Sequence, residues 1–206
     1  MLTAMSRDRE RYERAIALFD AANGADPNLE TVQGVPQPKE LVYARRMTEM
    51  LERFAPDASE AVRLAVRCQH IRRWEIPRAS FPRTPAGYQA WRTGLLSFHA
   101  ETASAILREA GYDGAAVVRV AQLVRKEGIK RDAEAQLLED VAALVFLEHY
   151  CADFASTHPE YDEAKLTDIL RKTLRKMSSR GREVAGSLLT PPAAVGRLLR
   201  KAVDAA

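Results

Sequence analysis

The sequence predicts an all-α fold: a compact single-domain bundle of about seven or eight helices running through residues 1–206. Three observations carry that expectation. Apolar residues recur at 3.6-residue spacing over several long segments, and no segment alternates apolar and polar residues long enough to build a sheet. Helix-capping and helix-ending residues fall where those segments start and stop. A composition 47% hydrophobic and 29% charged supplies an ordinary core and excludes a disordered chain.

The first helix is expected over about 6–22, where Tyr12, Ile16 and Phe19 share a face; NGADPN then supplies turn chemistry. Residues 28–38, with Gly34, Pro36 and Pro38, read as an ordered loop. The second helix carries Leu41, Met47, Met50, Leu51 and Phe54 and ends at Ala55-Pro56. Asp57 is placed to cap a third, with Ala61, Leu64, Ala65 and Cys68 inward. Pro77, Pro82 and Pro85 then impose an irregular arm, longer than a connection needs and so a candidate wall of a site.

The fourth helix has the clearest seam: Tyr88, Trp91, Leu95, Phe98, Thr102 and Ala105/Ile106, closed by Gly111. Asp113 caps a fifth helix that Gly128 ends. Asp132 caps a sixth reaching about Ser156, apolar nearly all round in VAALVFLEHY and therefore central. A seventh spans about 163–178, stopping near Gly181, and Thr190-Pro191 opens a short last helix over about 191–204.

Cys68 and Cys151 lie in helical patterns and read as buried thiols of a reducing compartment. The stretch MLTAMSRDRERYERA has no apolar core of a secretory signal, and no apolar run approaches the roughly 18–20 residues of a membrane span. A cytoplasmic protein with no membrane partner is expected.

The net charge of +3 is unremarkable, but its distribution is uneven. Seven arginines (63, 67, 72, 73, 78, 83, 92) face a single acid, Glu75, between residues 63 and 92, whereas residues 132–163 hold nine acids and no lysine or arginine. Such a segment can attract an anionic ligand, or it can be a solvated or internally paired face.

Several polar residues fall on apolar stripes. At 100° per residue His99 lies about 20° and Arg92 about 40° from Tyr88 on the fourth helix. A buried imidazole there needs a core hydrogen bond or a ligand. Asp140 shares a face with Leu144, Leu147 and Cys151, and Glu139 with Phe146 and Tyr150. Either carboxylate needs a cation, an arginine of 63–92 being one choice, or its pKa shifts. His70, late in the third helix, stands among Arg67, Arg72 and Arg73; it is either a ligand-facing or a plain helix-end histidine. His149 and His158 are given no role. No phosphate loop, dinucleotide fingerprint, HExxH, CxxC or nucleophile elbow is present. Trp74 and Trp91 among arginines form no nucleic-acid-binding motif, so nucleic acid is the less favoured partner.

The blocks PKELVYARRM (38–47), QHIRRWEIPR (69–78), GYQAWRTGLLSFHA (87–100), QLLEDVAALVFLEHY (136–150) and KTLRKMS (172–178) resemble the family called domain of unknown function 4202, over about residues 10–190. That name carries no reaction. A more divergent resemblance is to the HD-domain superfamily of metal-dependent phosphohydrolases, in the order of a helix led by Glu40 and Tyr43, His70 at a helix end, His99 heading LSFHAETASAILREAGY, then Asp140. Ile71 stands where that superfamily's motif aspartate belongs, and Glu40 or Tyr43 where its first histidine belongs.

What this second resemblance implies is an HD-like fold and a divalent metal (Mn, Fe or Zn) on His70, His99 and Asp140, with Glu139 or Glu40 as base. Arg72, Arg73, Arg78 and Arg92 would hold the anion. The function expected is a divergent metal-dependent hydrolase of a phosphorylated or nucleotide-like small molecule. The alternatives are a non-catalytic module that binds an anionic ligand or RNA in an arginine-rich pocket, and a scaffold in which these polar groups are structural.

Overall fold

The structure, a computed structural model, describes residues 2–204, and side chains over 6–202 apart from Ala194. Among them are ten α-helices and one two-stranded antiparallel ribbon, so the all-α expectation holds. The helices are α1 (Leu2–Gly24), α2 (Lys39–Phe54), α3 (Glu60–Cys68), α4 (Pro85–Ala110), α5 (Gly114–Val124), α6 (Ala133–Val145), α7 (Cys151–Ser156), α8 (Glu163–Lys176), α9 (Ser179–Ala185) and α10 (Ala193–Asp204). None of the described helices is long and apolar enough to cross a membrane. The chain divides into two compact units, Met1–Glu49 with Asp57–Glu127, and Met50–Pro56 with Gly128–Ala206.

In the first unit α5 packs on α3 and α4, and α1 on α3 and α4. Phe19, Met47, Leu64, Ile71, Leu107 and Leu123 are fully buried there. The segment expected as a loop is a hairpin of β1 (Leu29–Val32) and β2 (Val35–Pro38), with Leu29 opposite Pro38 and Val32 opposite Val35. Gln33 and Gly34 both take positive φ, 50° and 81°, as a two-residue hairpin turn requires. Ser59, not Asp57, caps α3 by accepting from Val62 N. Thr84 caps α4 through Gly87 N, and Asp113 caps α5 through Ala116 N.

Polar side chains fasten the start of α2 and the end of α3. Asp26, buried, accepts the amides of Asn28 at 2.9 Å and Glu40 at 3.0 Å, so it caps α2 from outside the helix. Arg67, also buried, makes a two-pronged pair with Asp20 at 2.7 and 2.6 Å. Asn23 accepts the amide of Arg72, whose φ of 52° is left-handed. These bonds hold the QHIRR turn that displays His70.

In the second unit α6 packs on α8 and α9, and α10 on α7 and α8. Met50, Leu51, Leu138, Leu144, Leu147, Leu170 and Leu174 are buried. The expected sixth helix is interrupted: a π-helical stretch, Phe146–Tyr150, joins α6 to α7. The expected seventh helix, about 163–178, is α8, and a further helix that was not expected, α9, follows it, capped by Ser178 through Gly181 N. The interruption and the added helix give ten where about seven or eight were expected.

Candidate functional site

The first unit contains a cavity of about 100 Å³ whose walls include Gln69, His70, Arg73, Tyr88, Trp91, Arg92, Leu95, Leu96, His99 and Lys126. Its lining comes from α4, from the turn that follows α3 and from Lys126 after α5. His99 is 1% exposed, as its place on the apolar stripe predicts. Its Nδ1 lies 2.8 Å from the Ile71 carbonyl oxygen. A carbonyl only accepts, so Nδ1 carries the proton, and Nε2 of the neutral ring is left as an acceptor. That Nε2 is buried and has no partner.

His70 stacks on Tyr43 at 4.1 Å with ring planes 10° apart, and its centroid is 5.8 Å from that of His99. The Tyr43 hydroxyl in turn donates to Gln69 Oε1 at 3.3 Å. Burial pulls the His70 pKa well below the usual histidine value, and the nearby cations Arg73, Lys126 and Arg92 push it the same way. Burial, with His70 and Arg73 adding to it, lowers His99 to about 3, against the opposing effects of the Ile71 carbonyl and Glu40. Both imidazoles are therefore neutral at pH 7, and Arg73, Arg92 and Lys126 carry the positive charge of the wall.

Glu40 stands behind this wall, in the first turn of α2 and 7% exposed. Its carboxylate oxygens lie 3.6 Å from His70 Nδ1 and 3.8 Å from Arg73 Nε. Burial raises its pKa to about 7; Asp26 adds to the rise, while Arg73, His99 and Lys39 oppose it. Arg73 is also held over the Trp91 ring at 4.9 Å, and Trp91 Nε1 donates to the Ile76 carbonyl at 2.9 Å. Tyr88, expected on the buried seam, is 46% exposed instead and forms the rim, with Arg92 5.9 Å from its ring. Of the expected seam only Leu95 is buried; Trp91, Phe98, Thr102 and Ile106 are half-buried and Ala105 is exposed, because the face turned inward is Leu95, His99, Ala103 and Leu107.

The expected anion-binding arginines divide into two pairs. Arg73 and Arg92 line the cavity. Arg72 is exposed and paired with Glu75 at 2.6 Å, and Arg78 donates to the carbonyls of Phe81 and Pro82 at 2.9 and 2.8 Å, bracing the proline arm. Lys126 had no signal beyond being a basic residue near a helix end. It follows the C-cap of α5 with a φ of 59°.

Asp140 and Glu139 lie on α6 in the second unit, half-buried in the case of Glu139. Asp140 is 2% exposed, but its partner is not an arginine of 63–92. Its Oδ1 accepts Ser178 N at 2.8 Å and Gln136 Nε2 at 3.0 Å, and its Oδ2 accepts the Ser178 hydroxyl. The carboxylate thus pins the start of α9. Among the described residues no group of three or more His, Cys, Asp or Glu is arranged to hold a metal ion. The donor set His70, His99 and Asp140 does not fit a three-ligand centre on these grounds. Both cysteines are buried free thiols, and burial raises their pKa values, Cys151 to about 11.

Comparison with known proteins adds the family. The one described as Domain of unknown function (DUF4202) matches residues 13–198. The chain belongs to it. No curated protein and no solved structure matches the chain. Within this DUF4202 member the blocks QHIRRWEIPR and GYQAWRTGLLSFHA are those that supply His70, Arg73, Tyr88, Trp91, Arg92 and His99 to the cavity.

Proposed function

We propose that this protein binds a small anionic molecule, phosphorylated or carboxylated, with its charged group in the His99 cavity and its remainder against Trp91 and Tyr88. One observation carries the proposal: Arg73, Arg92 and Lys126 converge on a cavity that also holds a buried, unpartnered acceptor. Arginines beside an aromatic rim suit an oxyanion attached to a planar group. At about 100 Å³ the cavity is well below the roughly 300–1,000 Å³ that enclose a drug-sized ligand, so it takes one small group. A nucleic-acid strand would instead need a groove that tracks several phosphates. The two buried thiols suit a reducing, cytoplasmic setting.

The test is a thermal-stability screen of carboxylates and phosphomonoesters on wild type and Arg92→Ala. A ligand at a hundredfold its Kd adds about 2.7 kcal/mol. For a chain of this size that is roughly 5–10 °C in Tm. The variant is expected to lose most of that rise. Equal stabilisation of both proteins would place the anion elsewhere.

A second reading has one observation in its favour. Glu40, with a pKa near 7 beside His70, is poised to exchange a proton at neutral pH, as a general base for hydrolysis of a phosphorylated or nucleotide-like molecule must. An HD-like ancestry is in keeping with it, but the donor set supports no step through a metal. Turnover in a phosphoester screen, abolished by Glu40→Gln with binding retained, would favour this reading over binding alone.

A further inference from the structure

Three cationic side chains explain why an anion enters the cavity, but they do not explain His99. The wall offers donors from Arg73, Arg92 and Lys126, all of which suit any oxyanion. His99 offers the reverse. Its Nδ1 proton is committed to the Ile71 carbonyl, so Nε2 can only accept, and nothing in the protein donates to it. Protonating the ring would satisfy Nε2, but burial, with His70 and Arg73 adding to it, opposes that. Leaving a buried acceptor without a donor is costly, and a ligand that brings the donor removes the cost.

From this we infer that the ligand is an oxyanion that keeps a proton of its own, hydrogen phosphate itself or a phosphomonoester bound as its monoanion, and that the His99 acceptor selects it against carboxylates and other fully deprotonated oxyanions. Hydrogen phosphate and sulfate have closely similar shape and charge at neutral pH, but only phosphate carries an O–H. Facing a lone acceptor, phosphate donates that O–H while its remaining oxygens accept from the guanidinium and ammonium groups. Sulfate meets the same cations but sets an oxygen lone pair against the Nε2 lone pair. Sites built to hydrogen-bond a ligand O–H reject the analogue that lacks it far more strongly than pockets that discriminate by size alone.

The inference rests on the anion-binding reading, and the experiment separates the two. Inorganic phosphate and sulfate are titrated calorimetrically into the wild-type protein at pH 7.5 and matched ionic strength, then into Arg92→Ala and His99→Phe. Phosphate is expected to bind at least about tenfold more tightly than sulfate, to weaken in Arg92→Ala, and to fall to the level of sulfate in His99→Phe. Should His99→Phe fail to fold, the wild-type ratio still decides. Phosphate and sulfate of equal affinity, both weakened by Arg92→Ala, would overturn the proton selection while leaving the anion pocket standing. Binding of neither anion, or binding indifferent to Arg92→Ala, would overturn both.

Discussion

Glu40 and His99 are ionisable groups that folding pushes in opposite directions along the pH axis. Glu40 rises from 4.5 to about 7, so between those values the folded chain holds more protons than the unfolded one, and stability falls as pH rises. His99 drops from 6.5 to about 3, and His70 moves the same way, so below 6.5 the unfolded chain takes up more protons and stability falls as pH falls. Glu40→Gln is therefore expected to stabilise the protein at pH 8 by on the order of 1–3 kcal/mol and to change little at pH 4, as urea unfolding at both values would measure. His99→Gln should flatten the acid side of the stability curve. In the proposed anion site the same carboxyl should also govern affinity. Its charge appears beside Arg73 as pH rises through about 7, so an anion of fixed charge should bind more weakly at pH 8 than at pH 6, and Glu40→Gln should remove that dependence. At this scale the sequence was partly legible. Helical periodicity alone put His99 inside, but Arg72 and Arg78 look like Arg73 and Arg92 in a string of letters. What separates them is Glu75 three residues on and two carbonyls of the proline arm, and those contacts appear only when the turn is folded.

Capping is where helices and sequence agree best. Asp113, Asp132 and Gly111 stand where local chemistry puts them, because a cap needs only its own next few residues. Two elements escaped that logic. The β1–β2 ribbon has strands of four residues, too short for alternation to register, and Pro36 and Pro38 suggest a loop. The α9 helix depends on Asp140, 38 residues earlier, whose carboxylate accepts the Ser178 amide. A Cβ on Gly181 would come within 2.9 Å of the Asp140 carboxyl carbon. Asp140→Ala should thus cost about 1–3 kcal/mol through the stranded Ser178 donors. Gly181→Ala should cost a similar 1–3 kcal/mol through overpacking. Hydrogen exchange should quicken over residues 179–185 in both variants and stay unchanged around the His99 cavity. Exchange unchanged there would mean that α9 is held by other contacts.

Across the whole chain, the cluster of seven arginines between 63 and 92 is mostly internal scaffolding. Arg63 reaches the Ala58 carbonyl, Arg67 grips Asp20, Arg72 takes Glu75, Arg78 braces the arm and Arg83 is exposed, which leaves Arg73 and Arg92 to face the cavity. Charge counting singled out the segment as a whole, whereas only two of its seven arginines line the cavity. The acidic stretch 132–163 divides in the same way, with Asp132, Asp140, Glu148 and Asp162 serving as caps or clamps in the second unit. What remains is a protein whose polar side chains fasten its helix ends and whose first unit carries a cavity lined by cations and by His99, the bearer of a buried unpartnered acceptor. The most direct test is to follow the imidazole nitrogens of uniformly 15N-histidine-labelled protein by NMR during a phosphate titration. The predicted result is a neutral His99 with its proton on Nδ1 and a saturable shift of its Nε2 resonance, absent in Arg92→Ala. A His99 resonance that stays fixed while phosphate binds, or that shifts equally in Arg92→Ala, would contradict the site.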